Sequence, residues 1–173
     1  GDWSSDVCSS DLIEYDTLRL NPVKDPLHHH SVTDEMTRRL WLSCGHPGLR
    51  GEFFNLFING NFKGYYSLIE RPTELLFNQL NNTDGEWDII RTFGVESGDD
   101  KAWKELLSWT ESRRPQEEVW QAIRKRLDLV NFADYILVTD YVGLGDWPDN
   151  NWIVIRNRSQ NGRFQFEIGR AHV

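Results

Sequence analysis

Hydrophobic positions along this chain recur with two different periods, and the switches between them mark out its elements. Residues 13–30 show neither period, and Pro22 and Pro26 rule out a long helix there. At Thr33-Asp34-Glu35-Met36 a helix is expected to begin and to run to Cys44. Thr33 is placed to cap it, acids occupy its first turn, and Met36, Leu40 and Val32 share a face. Gly45 and Pro47 end it. The period then shortens: Phe53–Ile58 and Phe62–Ile69 flank Asn59-Gly60, a dipeptide suited to a tight turn whose central residues need positive φ. Glu70-Arg71-Pro72 closes the second strand, because proline cannot continue the pairing.

Helical spacing returns three times. Asp100–Trp109 sets Trp103, Leu106 and Leu107 on one side, and Pro115–Leu127 aligns Val119, Trp120, Ile123 and Leu127. Asn131–Val142 repeats Phe132, Tyr135, Ile136, Thr139 and Val142. A polar loop follows Gly143 and Gly145, then a hairpin of Trp152–Ile155 and Phe164–Phe166 turning at Asn161-Gly162. The order of helix and hairpin, helices, polar loop and hairpin predicts an α+β fold.

The formal charge of -8 argues against nucleic-acid binding, which wants a basic face. A polyanionic ligand would need local positive groups or a metal ion. No apolar run approaches the roughly 20 residues of a membrane helix. The opening residues 1–12 and closing residues 167–173 fit nothing around them and resemble translated sequencing-adapter sequence, so the domain is expected to span 13–166 and to be open at both ends. That span keeps 23 acids and 18 bases, about -5, with Cys44 as its single cysteine. One cysteine forms no internal disulfide, and without a basic partner it reads as a thiol in or near the core.

The loop Gly145–Trp152 is the best candidate for chemistry. Asp146 and Asn151 are spaced D-x-x-x-x-N, as in protein kinases, where the aspartate accepts the substrate hydroxyl's proton and the asparagine holds Mg²⁺. Phosphoryl transfer asks for neutralised phosphate charge and a positioned nucleophile, and hard oxygen ligands suit magnesium. The spacing alone is weak and better describes an ordinary loop turn, where Asp and Asn abound. Glu70 reads either as a solvated strand-end charge or as part of a hinge whose backbone meets an adenine edge. His28-His29-His30 is a weak metal candidate, since adjacent residues on an irregular segment point apart.

Taken together, the segments resemble the CotH family. Phe54–Tyr66 with Glu70-Arg71-Pro72 is similar to its N-L-Y-I-N-G-x-Y-W-G-x-Y-x-x-x-E-R-P signature, and Ser31–Leu40 resembles the preceding helix. Asn131–Ile136, Gly145–Pro148 and Asn150–Trp152 resemble its N-F-x-D-Y and G-N-x-D-W-P-x-N-N-W stretches. Lys63 stands where an aromatic is usual and Leu144 where asparagine is usual. The resemblance implies a partial, divergent protein-kinase-like two-lobe fold, with 13–72 in the small lobe and 73–166 in the helical lobe. It implies an ATP- and Mg²⁺-dependent kinase acting on serine in coat or surface proteins of a bacterium. Asp146 would be the catalytic carboxylate, Asn151 a magnesium ligand and Glu70 part of the adenine-side hinge. The family's next motif, a tryptophan-aspartate pair after Phe166, and the upstream strands with the phosphate-contacting base are not in this sequence. The piece is therefore expected to be inactive even if its parent is a kinase. The alternative is a pseudokinase or adhesion module of a secreted protein.

Overall fold

A computed structural model describes residues 17–23, 31–145, 147–158 and 162–169. Its elements are β1 (Leu18–Pro22), α1 (Ser31–Ser43), β2 (Gly51–Ile58), β3 (Asn61–Glu70), α2 (Glu74–Asn81), β4 (Trp87–Arg91) and β5 (Gly94–Ser97), then α3 (Lys101–Thr110), α4 (Gln116–Arg126), α5 (Leu129–Tyr141), β6 (Trp152–Asn157) and β7 (Gln165–Ile168). The α+β class expected from the sequence holds. Two antiparallel sheets form, in the orders β1-β3-β2 and β5-β4-β6-β7.

The β2–β3 hairpin turns where Asn-Gly predicts, with φ of 51° at Asn59 and 78° at Gly60. β1 adds to the other edge of β3, pairing Leu18 with Glu70 and Pro22 with Tyr66. Proline is tolerated there because β1 is an edge strand. In the four-stranded sheet β4, β6 and β7 are largely buried on both faces, whereas β5 is mostly exposed. Ile90, Val154 and Phe166 lie in register and join Trp41, Tyr135 and Leu106 in the main core. Ile89, Ile153 and Ile155 point the opposite way and meet Phe77 of α2 and Trp87. β7 extends through Glu167 and Ile168, which pair with Ile153 and Trp152.

Several expectations are corrected. Helix α1 starts two residues before Thr33, whose carbonyl accepts a hydrogen bond from Thr37 Oγ1 at 2.7 Å. Its inward face is not the Val32–Met36 stripe, which is 61% and 54% exposed. Asp34, Glu35, Thr37, Arg38 and Trp41 are buried instead. Their charges compensate locally: Arg38 Nη2 lies 2.9 Å and Arg39 Nε 2.8 Å from the Glu35 carboxylate. Cys44 is exposed, because it follows the helix where the chain turns outward. Leu107 and Trp120 are also exposed, so α3 and α4 bury narrower stripes than their spacing suggested.

Candidate functional site

Three pieces of backbone converge beside the two sheets: the end of β3, the β4–β5 turn and the loop before β6. Each is placed by a local cause. β3 stops at Glu70 ahead of Pro72, and Thr73 then caps α2 by accepting the Leu76 N–H at 3.3 Å. α5 ends in a Schellman-type cap, with Gly143 at φ 68° and Leu144 N–H donating to the Thr139 carbonyl at 2.9 Å. Past that cap, Trp147 is anchored against Tyr135, ring centroids 6.2 Å apart. The chain reaches Asn151 in left-handed backbone, φ 61°, and enters β6.

Between these pieces lies a cleft of about 200 Å³. Leu49, Ile69 and Ile153 form its apolar floor, and Glu70, Asn150 and Asn151 bring oxygen and amide groups to it. Thus two of the residues singled out in the sequence, Glu70 and Asn151, share one cavity although they come from opposite halves of the chain. Asp146 lies outside the described residues, as do His28, His29 and His30.

Glu70 is not a solvated strand end. It is buried, its Oε2 accepts the Arg50 N–H at 2.7 Å, and its own N–H donates to the Arg50 carbonyl at 3.0 Å. Burial pushes its carboxyl above the usual range, against the opposing pull of the Arg50 N–H and charge. Glu167 in β7 is buried more completely and its carboxyl is pushed up to about 8, chiefly by desolvation, with Glu70's charge acting the same way. The N–H groups of Ile168 and Leu49 pull it down.

The cleft also holds arginines that sequence spacing could not identify. Arg19, Arg38, Arg71 and Arg91 line it, Arg38 already paired with Glu35. An arginine after the run Ile89-Ile90 carries no local mark of its destination; only the antiparallel pairing of β4 with β6 directs it. These residues supply the local positive groups that a polyanion would require in an otherwise acidic chain.

Magnesium takes oxygen ligands and keeps several waters. The donors beside this cleft are oxygens of the right kind, from Glu70 and the Asn150–Asn151 amides. Among the described residues no group of three histidines, cysteines, aspartates or glutamates is gathered to hold a metal. These donors fit a cation that would take most of its ligands from elsewhere, not a closed protein cage.

The architecture is that of a mixed α+β domain with a polar cleft beside two antiparallel sheets. The family model described as CotH kinase protein matches residues 16–167, and the chain belongs to that family. The match spans both sheets and all five helices among the described residues, consistent with a partial, divergent kinase-like fold. No curated protein matches the chain.

Proposed function

We propose that this domain belongs to an ATP- and Mg²⁺-dependent protein kinase acting on serine hydroxyls of a coat or surface protein. The reading is supported above all by Glu70 and Asn151 lining one cleft, inside a segment matched to the CotH kinase family. On this reading the Asp146 carboxylate accepts the serine proton as the oxygen attacks the γ-phosphorus. The bond from that phosphorus to the β-bridging oxygen breaks and ADP leaves. Asn151 would help to hold a magnesium ion through its amide oxygen, and that ion would supply neutralisation of phosphate charge. The backbone around Glu70 borders the adenine, and the buried Glu70 carboxyl holds that turn to Arg50.

The test is transfer of labelled phosphate from ATP in the presence of Mg²⁺, assayed in the intact gene product. Asp146→Asn should reduce transfer by about a hundredfold or more while leaving nucleotide binding intact. Full activity in that variant removes Asp146 from its role.

A binding-module reading has its own observation. Phe57, Phe62 and Tyr65 near the hairpin tip are each more than half exposed, with neighbouring ring centroids 5.4 and 5.7 Å apart. Such a cluster suits contact with another macromolecule. Absence of any phosphate transfer, together with a partner lost on Phe57→Ser, would favour it. No described helix is long and apolar enough to cross a membrane.

A further inference from the structure

Four arginines line the cleft: Arg38 of α1 is neutralised by Glu35, 2.9 Å away, and the other three arrive from different places, Arg19 from β1, Arg71 from the segment after β3 and Arg91 from the end of β4. Holding like charges together is costly unless something neutralises them. Glu96 serves two of the three, lying 2.9 Å from Arg71 Nη2 and 3.4 Å from Arg91 Nε. Glu70, which also lines this cleft, turns one carboxylate oxygen to the Arg50 N–H. Burial and the neighbouring Arg71 and Arg19 charges lower the Arg91 pKa, with Glu96 opposing. Thr92 Oγ1 is buried without a hydrogen-bond partner, Arg91 Nε has only the long ion pair to Glu96 and no well-formed hydrogen bond, and both residues line the same cleft. Buried donors left in this state are costly, and an arriving acceptor relieves that cost.

We propose that Arg19, Arg71, Arg91 and the Thr92 hydroxyl form a binding site for a phosphate group. Guanidinium forks match phosphate oxygens in geometry and charge, and the hydroxyl adds a neutral donor. The phosphate has two possible sources, a nucleotide or an already phosphorylated protein side chain. Choosing the nucleotide rests on the kinase reading above; the anion site itself does not.

The experiment is titration calorimetry on this chain with inorganic pyrophosphate, ATP, adenosine and a phosphoserine peptide, at two salt concentrations. Pyrophosphate should bind, and more weakly at high salt. Arg19→Gln and Arg71→Gln, both on exposed side chains, should each weaken it about tenfold or more. Glu96→Gln should tighten it several-fold, a gain that misfolding cannot imitate. ATP bound more tightly than the peptide, with the same arginine dependence, assigns the site to a nucleotide; the reverse order assigns it to a phosphoprotein. Failure of pyrophosphate to bind, or equal affinity in Arg19→Gln, Arg71→Gln and the unaltered chain, overturns the site. Asp146-dependent phosphate transfer would then still stand, so the two ideas fail separately.

Discussion

Asn131 offers the sharpest test of how this domain is held together. Its side chain is buried at 3% exposure and spans both backbone groups of Phe166. Asn131 Nδ2 donates to the Phe166 carbonyl at 3.1 Å, and Phe166 N–H donates to Asn131 Oδ1 at 2.6 Å. β7 is the edge of its sheet, so Asn131 does for that edge what a further strand would do. Asn131→Ala orphans one buried donor and one buried acceptor at about 1–3 kcal/mol each. A loss of about 3 kcal/mol follows, or about 6–12 °C in melting temperature for a chain of this size.

Asn131→Asp is the more discriminating substitution, because it keeps the shape and reverses one bond. At neutral pH a carboxylate oxygen would face the Phe166 carbonyl, costing at least as much as the alanine change, about 4 kcal/mol. A protonated carboxyl can donate to that carbonyl as Nδ2 does. The introduced group therefore has a raised pKa in the folded state. Its folded form is favoured below the ordinary carboxylate range and penalised as pH rises. Thermal melts of the unaltered and variant chains from pH 4 to 8 should show a gap that widens with pH. Equal stability at pH 7, or a gap independent of pH, would refute the paired geometry.

Three further outcomes follow from other sites. Asp88 is fully buried and accepts from Arg156 Nη2 at 2.7 Å, Arg158 Nε at 2.8 Å and Asp99 N–H at 2.9 Å. Asp88→Ala should cost about 3 kcal/mol in chemical denaturation, toward the low end for buried pairs because the arginines stay 25% and 32% exposed; a loss under about 1 kcal/mol would discount the cluster. Glu167, with its carboxyl at about 8, holds a proton in the folded chain that the unfolded chain releases near 4.5. Stability should therefore fall by about 1.4 kcal/mol per pH unit between those values, and Glu167→Gln should flatten the profile; unchanged pH dependence would contradict the burial. Gly60→Ala should cost about 1 kcal/mol in the same denaturation assay, purely from φ 78°, since a Cβ there meets nothing within 4 Å.

What the sequence made legible follows the strength of the local signal. The Asn59-Gly60 hairpin and the three helices of the second half were readable because turn chemistry and periodicity act within a few residues. α2 was missed: it has eight residues, and its marks are Thr73 at one end and left-handed Asn82 at the other. β4 was missed because its buried run contains Asp88, a charge that only the distant Arg156 and Arg158 make tolerable. The inward face of α1 was misread for the same reason. Glu35 and Arg38 neutralise each other in the interior, so the apolar stripe was not the buried one.

The candidate site shows the same division. Glu70 and Asn151 were singled out by motif, whereas Arg19 and Arg91 reach the cleft through strand pairings that no local pattern encodes. The pairings also explain how a polar loop can be held beside them. The segment from Gly143 to Asn151 is strung between the end of α5 and the start of β6. α5 is tied at its first turn to β7 through Asn131, and β7 is paired to β6 through Val154 and Phe166. The two ends of the loop are thus cross-braced in part by a buried amide that is not among the residues lining the cleft, alongside the packing of Phe132 and Tyr135 on Phe166. Loosening that amide should move Asn151 relative to Glu70 without touching either, so on the proposed kinase reading Asn131→Ala should weaken nucleotide binding as well as stability.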